Sequence, residues 1–98
     1  MFENYDVKSR NPYGAKLGTQ LLNPGGAFKA VSIAIPAGQQ LADHTAPSPA
    51  LLFMLEGRAS FVTGGEQIDL GPGSVVHIPS GVAHRIDAVT DSHFVLVR

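Results

Sequence analysis

The chain contains no cysteine, so disulfides and thiolate metal sites are excluded. Charge is sparse as well: Asp, Glu, Lys and Arg make up 15% of residues, and the formal net charge is −1. The seven Lys and Arg residues are scattered rather than clustered, so neither a nucleic-acid nor an anionic-membrane partner is expected. No apolar run approaches the length of a membrane span. The opening residues, Met1-Phe2-Glu3-Asn4-Tyr5-Asp6, include acids and no apolar stretch, so they do not read as a signal peptide. A cytoplasmic location is the resulting expectation. Also missing are a sustained helical period, an internal repeat at solenoid spacing and a low-complexity tract.

What is present is a strand pattern. The chain has 98 residues, of which 44% are hydrophobic, enough for one small domain with a modest core. Residues 1–11 are polar and aperiodic and read as an N-terminal arm, ordered only if something docks it; residues 12–98 read as a single domain. Asn23-Pro24-Gly25-Gly26 is a turn cluster. Val31, Ile33 and Ile35 then alternate with Ala30, Ser32 and Ala34, which predicts a strand ending at Pro36-Ala37-Gly38. The run Leu51 to Leu55 is apolar at every position and predicts a strand buried on both faces. Arg58–Thr63 and Glu66–Leu70 flank Gly64-Gly65, a two-residue hairpin signal. Val75–Ile78, Ala83–Val89 and Phe94–Val97 complete the set of strands. Short strands spaced evenly by Gly and Pro turns predict an all-β sandwich or barrel.

Two glycine-framed blocks stand out. The first reads Gly38, five residues, His44, one residue, Ala46, three residues, Ala50, six residues, Gly57. The second reads Gly73, five residues, Pro79, one residue, Gly81, two residues, His84, three residues, Ala88. In spacing, in the Leu55-Glu56-Gly57 turn and in the run Ile78-Pro79-Ser80-Gly81-Val82-Ala83-His84, the chain resembles the cupin superfamily, in particular its small single-domain members of the cupin 2 conserved-barrel type. The resemblance covers residues 38–88. It implies an RmlC-like jelly roll (a double-stranded β-helix forming a small barrel) with one open mouth that holds a small molecule or a metal. It also implies a homodimer.

Every framing Gly and the Pro keep their places, but the ligand positions do not. Metal-holding members of the family use two His and a Glu from the first block and one His from the second. Here Ala46 stands where the second His belongs and Ala50 where the Glu belongs, leaving His44 and His84. The second block also ends on Ala88 instead of Asn, and Ser74 replaces an acid. Strand parity sets His84, Ile86 and Ala88 on one face and Arg85 and Asp87 on the other, so His84 is expected to point inward. The same counting groups His44 with Ala42, opposite Leu41 and Asp43. A divalent transition metal (zinc, iron, nickel, manganese or copper) held by His44 and His84 would need further donors. His77 is one candidate third ligand; Gln39, Ser48 and His93 are others, none of them at a family ligand position. Without a metal, an imidazole can still serve as a general acid or base. Family parity also lines the barrel with Ala50, Leu52 and Met54 and turns Leu51, Phe53 and Leu55 outward.

Three functional readings follow. The first is a small-molecule-binding barrel with an incomplete metal site, its ligand meeting His44, Ala46, Ala50, Leu52, Met54 and His84. The second is a metal-dependent oxygenase or isomerase of a small metabolite using His44 and His84. The third is a structural or sensory homodimer without catalysis. The first is the reading adopted, with the other two as alternatives; catalysis stays open, and catalytic residues are not assigned.

Overall fold

The structure, a computed structural model, describes residues 2–98, all but the side chain of His44. One turn of helix, α1 (Val7–Arg10), precedes the strands β1 (Gly18–Leu21), β2 (Ala30–Ile35), β3 (Gln40–His44), β4 (Ala50–Glu56), β5 (Ala59–Thr63), β6 (Glu66–Leu70), β7 (Val75–Ile78), β8 (His84–Ala88) and β9 (Ser92–Val97). They form two antiparallel sheets, ordered β1-β2-β9-β4-β7 and β3-β8-β5-β6. The two sheets close a jelly roll around one core, as the strand pattern and the motif spacing predict. Among the described residues no helix is long and apolar enough to cross a membrane.

Period-two alternation decides what goes inside. In the first sheet Ile33, Ile35, Leu52, Met54, Phe94 and Leu96 are buried; in the second Ala59, Phe61, Leu70, Ile86 and Ala88 meet them. The Gly64-Gly65 hairpin forms as expected, with Thr63 paired to Glu66. Gly57 is required where β4 turns into β5. Its φ is +87°, and a Cβ there would lie 2.0 Å from the Asp91 carbonyl oxygen.

Three features depart from simple strand counting. β4 is buried on one face only, since Leu51 and Leu55 are exposed on the other. Second, β1 and β3 extend the sheets where no alternation announced them. β1 begins at a glycine and is an edge strand that pairs only with β2. Third, β3 carries a bulge: Leu41 pairs with Ile86, yet His44, three residues on, pairs with His84, two residues back. A bulge inserts one residue and resets the alternation. Parity counted from Leu41 therefore does not carry through to His44.

The N-terminal arm is docked on the outer face of the first sheet. The Asn11 amide donates to the Gly18 carbonyl (3.1 Å), the Ser32 carbonyl (3.2 Å) and the Ser32 hydroxyl (3.0 Å). Tyr5 donates to the Leu22 carbonyl at 2.8 Å, and the Arg10 guanidinium lies over the Tyr5 ring. Gln39 ties the segment between the arm and β1 to the turn before β3 through the Ala15 carbonyl and the Leu17 N–H.

Candidate ligand site at the barrel mouth

Both connections that carry the motif residues cross between the sheets at one end of the barrel. The chain leaves β3 at His44 and enters β4 at Ala50; it leaves β7 at Ile78 and enters β8 at His84. Ala50 and Ile78 are paired, and the Ala46 carbonyl accepts the Gly81 N–H at 2.9 Å. Gly81, with φ of +76°, makes the second of these crossings. β2 begins and β9 ends at this same end, because β9 pairs with β4 in the register Leu51 to Val97 and Leu52 to Leu96. This end is the mouth.

His84 points into the barrel, as the charged neighbours Arg85 and Asp87 require; it is 2% exposed, whereas they are half-buried. Its ring stacks on Phe61, with centroids 5.3 Å apart and planes inclined by 13°. Nδ1 lies 3.0 Å from the Val82 carbonyl oxygen, which makes that nitrogen the donor and fixes the ring's rotation. The backbone ladder sets His44 directly across from His84. The His44 side chain lies outside the described residues. Ala50, Leu52 and Met54 line the barrel as family parity implies, and they are packed in its core. Ala46 is half-buried in the crossing between β3 and β4.

The other histidines are elsewhere. His77 sits on the outward face of β7, opposite Leu51, and lines a shallow depression of about 270 Å³ with Pro49 and Val97. It is not brought to His84. His93 is buried on the outer face of the first sheet, where its Nε2 lies 2.5 Å from the Ser32 hydroxyl and its ring meets Tyr13 edge-on. Asn11 already donates to that hydroxyl, so Ser32 turns its own proton toward Nε2. Tyr13 also donates to Glu56 (2.8 Å), whose other oxygen accepts from Lys8 (2.9 Å). Burial lowers the His93 pKa, with Glu56 opposing the effect. Burial, then the hydrogen bond to Glu56, raises that of Tyr13. The hydrogen bonds from Lys8 and then Tyr13 hold the Glu56 carboxyl below its usual range. The cluster fastens the arm and faces away from the mouth. Gln39 is bonded to the segment before β1, and Ser48 is exposed in the crossing.

A metal at the mouth can be tested against this donor set. Positions 46 and 50 offer only methyl groups, and His77 and His93 are turned away. Among the described residues no three His, Asp or Glu side chains converge. At most two imidazoles and no carboxylate remain. Zinc sites take three or four protein ligands, so this set does not fit a resident metal.

A cavity of about 410 Å³ opens at the mouth between the first sheet and β3. Val31, Ile33, Leu41 and Leu96 form its apolar walls, and Thr19 and Leu21 of β1 flank it. Lys29 and Arg98 stand at its rim. None of these eight residues was singled out from the motifs. The signal that could have found them is parity: residues 29, 31, 33 and 35 share a face, so Lys29 extends a row of core residues.

Known proteins agree with this architecture. The sequence profile described as "Cupin domain" (Cupin_2) matches residues 31–97. Quercetin 2,3-dioxygenase of Bacillus subtilis (strain 168) is 33% identical over 73 residues, 74% of this chain but 21% of that protein. The protein SCO3923 of Streptomyces coelicolor is 33% identical over 64 residues, 65% of this chain and 61% of that protein. The chain therefore spans about a fifth of one curated relative and about three fifths of the other. Among solved structures, the conserved SPY1581 protein of Streptococcus pyogenes superposes with a TM-score of 0.86 at 20% identity, covering 97% of this chain and 84% of that one. With its two glycine frames intact around a jelly roll, and with the family profile matching residues 31–97, this chain belongs to the cupin family.

Proposed function

We propose that this cupin binds a small organic molecule at the barrel mouth, without a resident metal. The observation that carries this reading is the cavity of about 410 Å³, lined by apolar side chains, Thr19 and the two cations Lys29 and Arg98. Its size falls within the range of small-molecule sites, and a few polar groups around an apolar body are the usual composition of such sites. His84 stands at the same end of the barrel, with the backbone of His44 across from it. The catalytic reading has weaker support. Quercetin 2,3-dioxygenase shares a fifth of its length with this chain, and Ala46 and Ala50 remove two of the four ligand positions on which metal chemistry would rest.

Methyl-detected NMR during titration with a library of small organic molecules tests the proposal. Binders should shift the Ile33, Leu41 and Leu96 methyls together and lose affinity in a Leu41→Trp variant that fills the cavity. Binders that shift only other regions, or that bind the filled variant equally well, would overturn it. A homodimer belongs to the same proposal. Leu51, Leu55 and Val75 are exposed on the outer face of β4 and β7, beyond the docked arm, and a second copy would cover them. Sedimentation equilibrium should then give twice the chain mass, reverting to one chain mass in a Leu51→Lys/Val75→Lys variant.

A further inference from the structure

The cavity rim carries an arrangement that sheets normally avoid. Lys29 and Arg98 are direct cross-strand neighbours: the Lys29 N–H donates to the Arg98 carbonyl (2.6 Å), and the Arg98 N–H donates to the Lys29 carbonyl (2.9 Å). The pair continues the register Val31 to Leu96 and Ile33 to Phe94, whose side chains face the barrel interior. Both cations therefore sit on the inward row, and both line the cavity. Like charges directly opposite one another destabilise a sheet. No Asp or Glu side chain is among the lining residues. Among the described residues the ion pairs are Lys8–Glu56 and Arg85–Asp87, and neither involves this rim.

We propose that the mouth ligand is a small organic carboxylate. Its apolar body fills the space between Ile33, Leu41 and Leu96, and its carboxylate lies between the Lys29 ammonium and the Arg98 guanidinium. The inference rests on the reading of the mouth as a small-molecule site and adds the ligand's chemical class. A carboxylate between the two cations turns a repulsion into two charge-assisted contacts. The planar guanidinium fork matches a carboxylate edge in shape as well as in charge. The walls set the rest of the class. Apart from the two cations, Thr19 is the polar side chain among the lining residues, so a sugar or a nucleotide would find few partners for its hydroxyls. A compact aromatic, alicyclic or short aliphatic acid satisfies both ends.

The test titrates the full chain with benzoate and cyclohexanecarboxylate beside the corresponding neutral amides, and with inorganic phosphate. Both carboxylates should bind at least about tenfold more tightly than their amides, a difference that charge-assisted contacts to two cations readily supply. The preference should shrink as salt is raised. It should fall to near parity in Lys29→Met and Arg98→Met; both side chains are exposed, so folding is retained. Cavity methyls and rim resonances should move together. Equal affinity of acid and amide at the cavity would overturn the carboxylate assignment and leave the small-molecule reading standing. Failure of every organic probe to reach the cavity would overturn both. Phosphate binding at the rim as tightly as the carboxylates, with the methyls unmoved in both cases, would show a surface anion contact and overturn the carboxylate assignment.

Discussion

Two histidines are buried almost completely, and their surroundings could hardly differ more. His93, on the outer face of the five-stranded sheet, belongs to a chain of polar contacts with Ser32 and Asn11, beside Tyr13 and Glu56. His84, inside the barrel, stacks on Phe61 and bonds a carbonyl two residues away. The first is structural cement: its partners come from the stretch before β1, from β2 and from β4, so the contacts hold the arm to the sheet. The second is a polar side chain left in an apolar mouth from which the neighbouring ligand positions have been removed. Burial of a histidine therefore says little about its role; the chemistry of its surroundings says more.

The largest expected effect lies on the outer face. Asn11→Ala removes three contacts and leaves buried oxygens without donors, which should cost about 2–3 kcal/mol of stability. Limited proteolysis should then cut the arm, and a loss below about 0.5 kcal/mol in denaturant unfolding would show that the arm is merely resting there. His93→Leu should cost about 1–2 kcal/mol, because the buried Ser32 hydroxyl loses its acceptor. In His84→Leu the Val82 carbonyl lies on an exposed residue and can turn to water, so the loss of that bond alone should cost less than about 1 kcal/mol. Equal costs for the two histidine variants would erase the distinction drawn here.

The smallest effect is on pH dependence. Burial lowers the folded-state pKa of His93, so the unfolded chain takes up its proton first as pH falls. The neutral form's contribution is fully present above the unfolded value, near 6.5, and is lost progressively as pH drops below it toward the lowered folded-state pKa. The unfolding midpoint in denaturant should accordingly fall from pH 7.5 to pH 5.5 by more in the native sequence than in His93→Gln. Identical pH profiles would mean that His93 does not titrate in this range.

The fold was legible because it rests on local rules. Alternation gave β2, β5 and β8, paired glycines gave the β5–β6 hairpin, and Gly57 and Gly81 mark turns that only positive φ allows. The site was less legible, for two physical reasons. The bulge in β3 shifts parity between Leu41 and His44, and a bulge leaves no mark in a hydrophobic pattern. The cavity is lined by β1, β2, β3 and β9, strands mostly outside the two motifs, so motif spacing could not point to it. His77 shows the same limit: a four-residue strand gives too little alternation to fix which face is buried. The arm was invisible as structure because its order comes from long-range contacts of Asn11, Tyr5 and Lys8 rather than from its own sequence pattern.

The central claim is that this mouth is a pocket for an organic ligand and not a metal centre. Metal analysis of protein purified without any chelator, from cells grown in turn with manganese, iron, nickel, copper and zinc, tests it most directly. The account predicts well under one equivalent of any metal, and the same low content in His84→Ala. Close to one equivalent per chain, lost in His84→Ala, would contradict it.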